Sequence, residues 1–282
     1  MPRVFDCTSY FNEDRLFELR LETLRDVVDV FVVVEATRTH TGRPKPVRFD
    51  PRRFAGFEDR IRHIVIDDLS EDPADSWRNE NRQREAAVEG LEDAERSDRV
   101  IIADIDEIPH PDAVRRYSPF FLIGTFEQRF FSYLLNNLAV TAVDPNRERT
   151  WPRCKITTAG HLRGFFRNSL QEVRIFTKRR TPAGLLWWGR RKLFEQRLRS
   201  GGWHFSWAMT PAEMIVKIES YAHTETDRPE LKSVPAIETA IRQGRDILGK
   251  DEHFRLIAVD DSFPAPLREQ PDRWADLMLA PA

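Results

Sequence analysis

The chain has 282 residues, of which 40% are hydrophobic and 32% are charged, and its formal net charge at pH 7 is −2. This composition indicates a globular protein with a sizeable core, and it gives no electrostatic argument for nucleic-acid binding. The two cysteines, Cys7 and Cys154, exclude a disulfide framework and a thiolate metal site, so a reducing compartment is expected. No apolar run approaches the roughly 20 residues that span a bilayer. We therefore expect a cytoplasmic chain without a signal peptide.

The first hundred residues predict alternating strands and helices. A β-branched run at residues 28–35 suits a strand buried on both faces, as in a parallel sheet. Helices are expected at 12–28, with Asn12 as N-cap, and at 77–91. A loop rich in Thr, Gly and Pro covers 37–46. The predicted strands are residues 3–7, 28–35, 61–66 and a run that ends at Asp104. This order predicts βαβ units and an α/β fold with a mostly parallel sheet.

The second half is less regular. Strands are predicted at 125–133 and 172–177, a polar loop at 144–152, and helices at 211–223 and 234–248. No internal repeat and no clear linker interrupt the chain. We therefore expect one domain over residues 1–282, with an elaborated second half.

An acidic pair follows the fourth predicted strand. Asp104 and Asp106 are spaced i, i+2, so on an extended chain both side chains would lie on the same face. Two carboxylates about 6 Å apart repel by roughly 3 kcal/mol at an effective dielectric constant of about 20. A hard divalent cation would relieve this repulsion, and it could hold a diphosphate. The alternative is a solvated acidic turn closed by Ile108-Pro109.

Other polar residues fall at the same predicted edge of the sheet. Asp6 and Cys7 end the first strand, and Glu35 ends the second. In open α/β sheets ligands bind at the carboxyl ends of the strands, where a nucleotide would lie. The alternative for Glu35 is a structural role, in which it accepts hydrogen bonds from loop amides.

A basic segment is the most unusual stretch of the second half. Residues 178–199 carry eight basic side chains and one acid, Glu195, together with Trp187 and Trp188. Such a segment could lie against the membrane surface or cover an anionic ligand. It could equally be a solvated loop and helix whose Arg and Lys stems cover apolar surface.

Several ordered motifs resemble glycosyltransferase family 17 and together cover most of residues 5–248. The motifs are Phe5-Asp6-Cys7, Tyr10-Phe11-Asn12-Glu13, Val27-Val28-Asp29, Val33-Val34-Glu35-Ala36, Thr39-His40-Thr41-Gly42, Lys45-Pro46, Trp77-Arg78-Asn79-Glu80, Gln83-Arg84, Ile101-Ile102-Ala103-Asp104-Ile105-Asp106-Glu107-Ile108-Pro109, Gly202-Trp203-His204-Phe205-Ser206, Ala222-His223-Thr224-Glu225 and Ile241-Arg242-Gln243-Gly244-Arg245-Asp246.

This resemblance implies a GT-A-type, Rossmann-like fold and a UDP-sugar donor, with N-acetylglucosamine as the transferred sugar. It also implies Mn²⁺ or Mg²⁺ as cofactor and inversion at the anomeric carbon. Asp104 and Asp106 match the Asp-x-Asp position that holds the metal and the donor diphosphate. Residues 1–110 would bind the nucleotide sugar, and residues 111–282 would receive a glycan or glycolipid acceptor. The expectation is a bacterial-type soluble member of the family, and residues 178–199 could contact the inner face of the membrane.

Particular side chains then become candidates for donor binding. Arg84 and Lys45 could neutralise the diphosphate, and Asp6 and Glu35 could bind uracil or ribose. Trp77 could stack on a base or sugar, although a large aromatic residue at a helix start is more often part of the core.

The remaining roles are the metal ligand and the base. His204 is a candidate third metal ligand beside Asp104 and Asp106, and His223 is a weaker one. Glu107 and Glu127 are alternative general bases for the acceptor hydroxyl, and Glu107 could instead orient the acidic pair.

Two other classes of function stay open at this point. A nucleotidyltransferase also uses carboxylates to hold metal and phosphates, but it would usually show a Gly-rich phosphate loop near the N-terminus, and none is present. A glycan- or nucleotide-sugar-binding protein without transfer activity is the non-enzymatic alternative. The intact Asp104 and Asp106 argue against a degenerate transferase.

Overall fold

The computed structural model describes residues 2–176, 193–220, 233–247 and 251–280. Over these residues the chain is α/β, with one seven-stranded and one six-stranded sheet. The strands are β1 (Val4–Tyr10), β2 (Val30–Ala36), β3 (Ile61–Ile66), β4 (Arg99–Ile102), β5 (Glu107–Pro109), β6 (Ile123–Phe126), β7 (Gln128–Ser132), β8 (Asn137–Val140), β9 (Thr150–Trp151), β10 (Lys155–Thr158), β11 (Glu195–Leu198), β12 (Gly202–Ser206) and β13 (His253–Leu256).

The helices lie mainly between strands of the larger sheet and in the second half. The α-helices are α1 (Asp14–Leu24), α2 (Ser76–Ala86), α3 (Pro111–Arg116), α4 (Ala159–Gly164), α5 (Leu170–Ile175), α6 (Pro211–Ser220), α7 (Val234–Arg242) and α8 (Ala265–Glu269). Short 3₁₀ segments are Pro51–Arg53, Glu58–Arg60, Pro73–Asp75, Ala87–Leu91 and Pro271–Leu277. Among the described residues no helix combines the length and apolarity needed to cross a membrane.

The larger sheet has the strand order β11-β6-β10-β4-β1-β2-β3. Strands β3, β2, β1 and β4 are mutually parallel, and β10 runs antiparallel to both of its neighbours. In register, Cys7 of β1 lies beside Val32 of β2 and Ile102 of β4. The α/β class and the parallel strands expected from the first hundred residues are therefore confirmed.

Both faces of this sheet are buried, which explains the continuous apolar runs in its strands. On one face Phe5 and Val32 pack with residues that follow α2, such as Leu91. On the other face Phe31 and Ile101 pack with residues of α1. Complete burial of each such side chain contributes about 1.5–3 kcal/mol. The parallel strands are thereby fixed between two helical layers.

The smaller sheet has the order β13-β8-β7-β12-β5, with β9 paired to β7. Over the described residues four short connections join it to the larger sheet: residues 103–106 between β4 and β5, Glu127 between β6 and β7, residues 152–154 between β9 and β10, and residues 199–201 between β11 and β12. Gly202 at the last crossing has φ +122°, and a Cβ there would approach the Ile108 carbonyl oxygen to 2.2 Å. The crossing therefore requires glycine at this position.

Two strand predictions in the second half are wrong. Residues 172–177 were expected to be extended, but Leu170–Ile175 is helix α5. The Ser169 hydroxyl caps the helix by accepting from the Glu172 amide, and the Glu85 carboxylate accepts from the amide of Leu170 at 2.7 Å. These contacts supply the capping and the negative charge that favour a helix start. The strand predicted at 125–133 is two strands, β6 and β7, which lie in different sheets.

One predicted cap is also wrong. The first helix begins at Asp14, its N-cap is Glu13, and no side-chain hydrogen bond caps it. Asn12 therefore does not cap α1.

Most of the basic segment 178–199 lies outside the described residues, and so does His223. The roles suggested for them therefore stay predictions. Within the segment, residues 195–198 form β11.

Candidate active site

A cavity of about 370 Å³ opens where β1, β2 and β4 end. Its walls come from the segments that follow these three strands, from α2 and α5, and from the smaller sheet. The lining residues of interest are Tyr10, Phe11, Glu13, Arg38, His40, Lys45, Trp77, Glu80, Arg84, Asp104, Asp106, Trp151, Arg153, Gln171, Arg174, His204 and Trp207. The cavity thus occupies the place where open α/β sheets bind ligands.

The acidic pair lies on a turn and not on an extended chain. The Glu107 amide donates to the Asp104 carbonyl oxygen at 3.0 Å, and the Asp104 amide donates to Glu107 Oε2 at 2.9 Å. The expectation that the alternation of a strand would align Asp104 and Asp106 is therefore wrong. The turn nevertheless places both residues on the wall of the cavity.

The buried ion pair of Arg20 and Asp6 holds this turn in place. Arg20 of α1 donates from Nε and Nη2 to the two carboxylate oxygens of Asp6, at 2.6 Å each. Its Nη1 donates to the Glu107 carbonyl oxygen at 2.8 Å, and to those of Asp104 and Ile105 at 3.3 Å. Asp6 does not line the cavity, so its predicted contact with the donor gains no support. No local pattern marks Arg20 as functional, because a lone arginine on a helix is usually exposed.

Two arginines hold the Asp104 carboxylate. Arg84 Nη2 donates to Oδ1 at 3.1 Å, and Arg174 Nη2 donates to Oδ2. Desolvation in the cavity acts to raise the pKa of Asp104, but the charges of Arg174 and Arg84 outweigh it and hold that pKa well below its usual range. Asp104 is therefore ionised and already neutralised by protein groups.

Arg174 also binds Glu107, which is fully buried. Its Nη1 and Nη2 donate to Glu107 at 2.7 and 2.9 Å, and the Trp151 indole donates to Oε1 at 2.6 Å. Glu107 is not on the cavity wall, so its geometry fits the orienting role and not that of a base. Arg174 was not among the predicted site residues, because its helix was predicted as a strand.

Asp106 and His204 form a carboxylate–imidazole pair on the cavity wall. His204 Nε2 lies 3.5 Å from Asp106 Oδ1, and both side chains are largely buried. The His204 ring packs against the rings of Phe130 and Trp151, with centroid distances of 5.0 and 4.4 Å. No group of three or more metal-ligating side chains converges within the described ranges. The pair still offers one carboxylate oxygen and one imidazole nitrogen, which fits Mn²⁺ or Mg²⁺ with its other ligands from a phosphate and water.

The predicted cationic and aromatic donor-binding residues do line the cavity. Arg84 is held by Glu80 and Asp104, and Trp77 is 49% exposed. Lys45 Nζ donates to Glu35 Oε1 at 2.8 Å. The structure therefore brings Arg84, Lys45 and Trp77 together with Asp104, Asp106 and His204.

Glu35 has the structural role that was its alternative. It is fully buried, lies off the cavity, and accepts from Lys45 and from the amides of Arg48 and Phe49. Burial acts to raise its pKa, but His63, Lys45 and these amides together lower the pKa of Glu35 to about 2. Glu35 thus anchors the loop that carries Lys45.

Glu127 is separate from the cavity. It lies in the connection between β6 and β7, and its carboxylate pairs with Arg197 Nε at 2.6 Å. It is not among the lining residues, so its geometry gives no support for a base. The carboxylates of the described residues that line the cavity are Glu13, Glu80, Asp104 and Asp106.

Comparisons with known proteins agree with the motifs. Residues 1–117 match the model of glycosyltransferase family 17. Three curated relatives share the name beta-1,4-mannosyl-glycoprotein 4-beta-N-acetylglucosaminyltransferase: the Homo sapiens protein is 27% identical over 302 residues, and the Rattus norvegicus and Mus musculus proteins are each 26% identical over 285. These alignments cover 94–99% of this chain but 52–55% of the relatives. The chain therefore spans about half the length of the curated relatives it matches.

Residues 1–117 are similar to glycosyltransferase family 17, so the resemblance carried by the motifs is confirmed.

Proposed function

We propose that the chain is a metal-dependent, inverting glycosyltransferase of GT-A type that moves N-acetylglucosamine from a UDP-sugar to a hydroxyl of a glycan or glycolipid. The parallel order β3-β2-β1-β4 supports a nucleotide-binding half, because this order occurs in dinucleotide-binding folds. The names of the relatives support the sugar and a mannose-containing glycan as acceptor.

The observation that carries the proposal is the turn at residues 104–106. It places two carboxylates at the carboxyl end of a parallel strand, inside a cavity that also holds five basic side chains, Arg38, Lys45, Arg84, Arg153 and Arg174. An uncharged sugar alone would not need such a set, whereas a diphosphate leaving group requires cations. Trp77 at the open side would stack on the base or the sugar.

Asp106 and His204 would hold the divalent metal. When bound, the metal would supply positive charge to the departing diphosphate. Asp104 would act differently, because both of its oxygens already bind arginines. It would fix Arg84 and Arg174 at the donor side of the cavity. Trp151 and Trp207 would form walls that limit the access of water to the donor.

The test is release of UDP from UDP-N-acetylglucosamine, measured with Mn²⁺ and a mannose-terminated glycan. Asp106→Ala is expected to lower turnover by about 10²-fold or more, since one preorganised electrostatic group is commonly worth that much. Glu127→Ala is the matched control, because it also removes a carboxylate but lies off the cavity, and it is expected to keep wild-type turnover.

Wild-type turnover by a folded Asp106→Ala variant would refute the role given to the metal. Tight binding of the donor by wild-type protein, with no UDP released to any acceptor, would favour the binding protein without transfer activity.

A further inference from the structure

The basic side chains of the cavity differ in how they are neutralised. Lys45 pairs with Glu35, and Arg38 pairs with Glu71. Arg84 and Arg174 share Asp104 and have further carboxylate partners in Glu80 and Glu107. These four cations therefore already have anionic partners within the protein.

Arg153 is the exception in the part of the chain that the structure describes. It lines the cavity and is partly buried, yet its guanidinium makes no ion pair and donates no hydrogen bond to these residues. The guanidinium carbon lies 5.7 Å from the centroid of the Trp151 ring. A guanidinium has five N–H donors, so a partly buried one without acceptors has capacity for an anionic ligand.

The backbone around Arg153 is held firmly on both sides. Trp151 is fixed by its hydrogen bond to Glu107 and by stacking on His204. On the other side the buried Lys155 donates from Nζ to the Pro152 carbonyl oxygen at 3.0 Å. A cation on such an anchored segment loses little conformational freedom when a ligand binds.

The charge around Arg153 also favours an anion. Burial lowers the pKa of Arg153 and the positive charge of Arg174 lowers it further, and these effects outweigh the opposing charges of Glu107 and Asp104. Two guanidinium groups therefore face one region of the cavity, and Arg153 forms no ion pair with a carboxylate of the described residues. A phosphate group placed there would relieve this repulsion.

We infer that Arg153 is a donor-binding residue that grips the diphosphate of the nucleotide sugar from the side of the cavity facing the smaller sheet. This inference rests on the proposed function and deepens it. The guanidinium fork binds phosphate oxygens in a bidentate manner, which a lysine does not reproduce. Arg153 was not among the predicted site residues, because it directly follows the predicted polar loop at 144–152.

The experiment measures calorimetric binding of three probes to the full chain in the presence of Mg²⁺: UDP, inorganic diphosphate and uridine. Arg153→Ala is expected to weaken binding of UDP and of diphosphate by about tenfold or more, as for loss of one charge-assisted contact. Uridine, which lacks phosphate, is expected to bind equally well. Arg153→Lys should fall between wild type and Arg153→Ala.

Arg147→Ala is the control, because Arg147 is an exposed arginine on the neighbouring loop and does not line the cavity. It is expected to bind all three probes as wild type does. Unchanged diphosphate and UDP affinity in Arg153→Ala would overturn the inference, as would an equal loss for uridine, which would indicate a general collapse of the cavity.

The probes also separate this inference from the proposed function. If diphosphate binding depends on Arg153 but the uridine moiety adds no affinity, the UDP-sugar donor is wrong while the inference stands. If wild type binds UDP and Arg153→Ala binds it equally, the donor stands and the inference fails. If wild type binds neither phosphate compound, both are wrong.

Discussion

The buried carboxylate of Glu35 shows how a single residue can prepare the cavity without lining it. It receives Lys45 and two backbone amides, and these contacts fix the loop between β2 and β3. The ionised form is stabilised in the fold, with a pKa of about 2 against an ordinary value of 4.5. The resulting stabilisation is present above the ordinary pKa, and it is lost as the pH falls through about 2.

The prediction is a pH-dependent difference between wild type and Glu35→Gln. At pH 7 the free energy of unfolding of the variant is expected to be lower by about 3 kcal/mol, which is the order that this lowering of the pKa implies. The difference should shrink between about pH 4.5 and pH 2, as wild-type Glu35 becomes protonated. Urea unfolding of both proteins at several pH values measures it. A difference that does not change with pH would show that the charge of Glu35 does not stabilise the fold.

At the scale of elements, the turn at residues 104–107 depends on helix α1. Arg20 spans the distance from Asp6 on β1 to three carbonyl oxygens of the turn, and both partners are fully buried. A buried ion pair of this kind is often replaceable by apolar groups without loss of stability, but breaking it from one side is costly. Substitution of one partner or of both can therefore separate the stability of the fold from the geometry of the turn.

We predict that Asp6→Leu alone lowers the free energy of unfolding by about 3–5 kcal/mol, because it leaves Arg20 buried without its partner. Adding Arg20→Met is expected to restore most of that stability but not the turnover, since the carbonyl oxygens of the turn lose their donor. Thermal unfolding and UDP release are measured on the same preparations. Wild-type turnover in a stable double variant would show that Arg20 does not position the acidic pair.

The elements also show what the sequence could predict. The β-branched run of β2 predicts a strand buried on both faces, and the observed burial agrees. The turn at residues 104–106 was predicted as extended chain because the hydrogen bonds of Glu107 and Arg20 that bend it are not visible in the local pattern. Helix α5 was missed for the same reason, since its start is held by Glu85, which lies on α2. In the turn and in α5 the backbone conformation depends on hydrogen bonds to residues that are distant in the sequence.

At the scale of the whole molecule, the cavity lies where two sheets meet. The larger sheet supplies the strand ends, the turn after β4 supplies Asp104, and the smaller sheet supplies Trp151 and His204. The motifs placed Asp104, Asp106 and His204 in one site, and the structure brings all three to the same cavity. Arg153 and Arg174 were not foreseen, because their roles follow from the packing of distant segments.

The proposed activity requires that this cavity bind a nucleoside diphosphate together with a metal. The most direct measurement is the thermal unfolding midpoint of wild type and Asp106→Ala with UDP, in Mn²⁺ and in excess chelator. With UDP at about 100 times its Kd, we expect a rise of about 5 °C for wild type in Mn²⁺. We expect little or no rise in chelator or in the variant. A rise of the same size in all four conditions, or in none, would show that the cavity does not bind UDP through a metal held by Asp106.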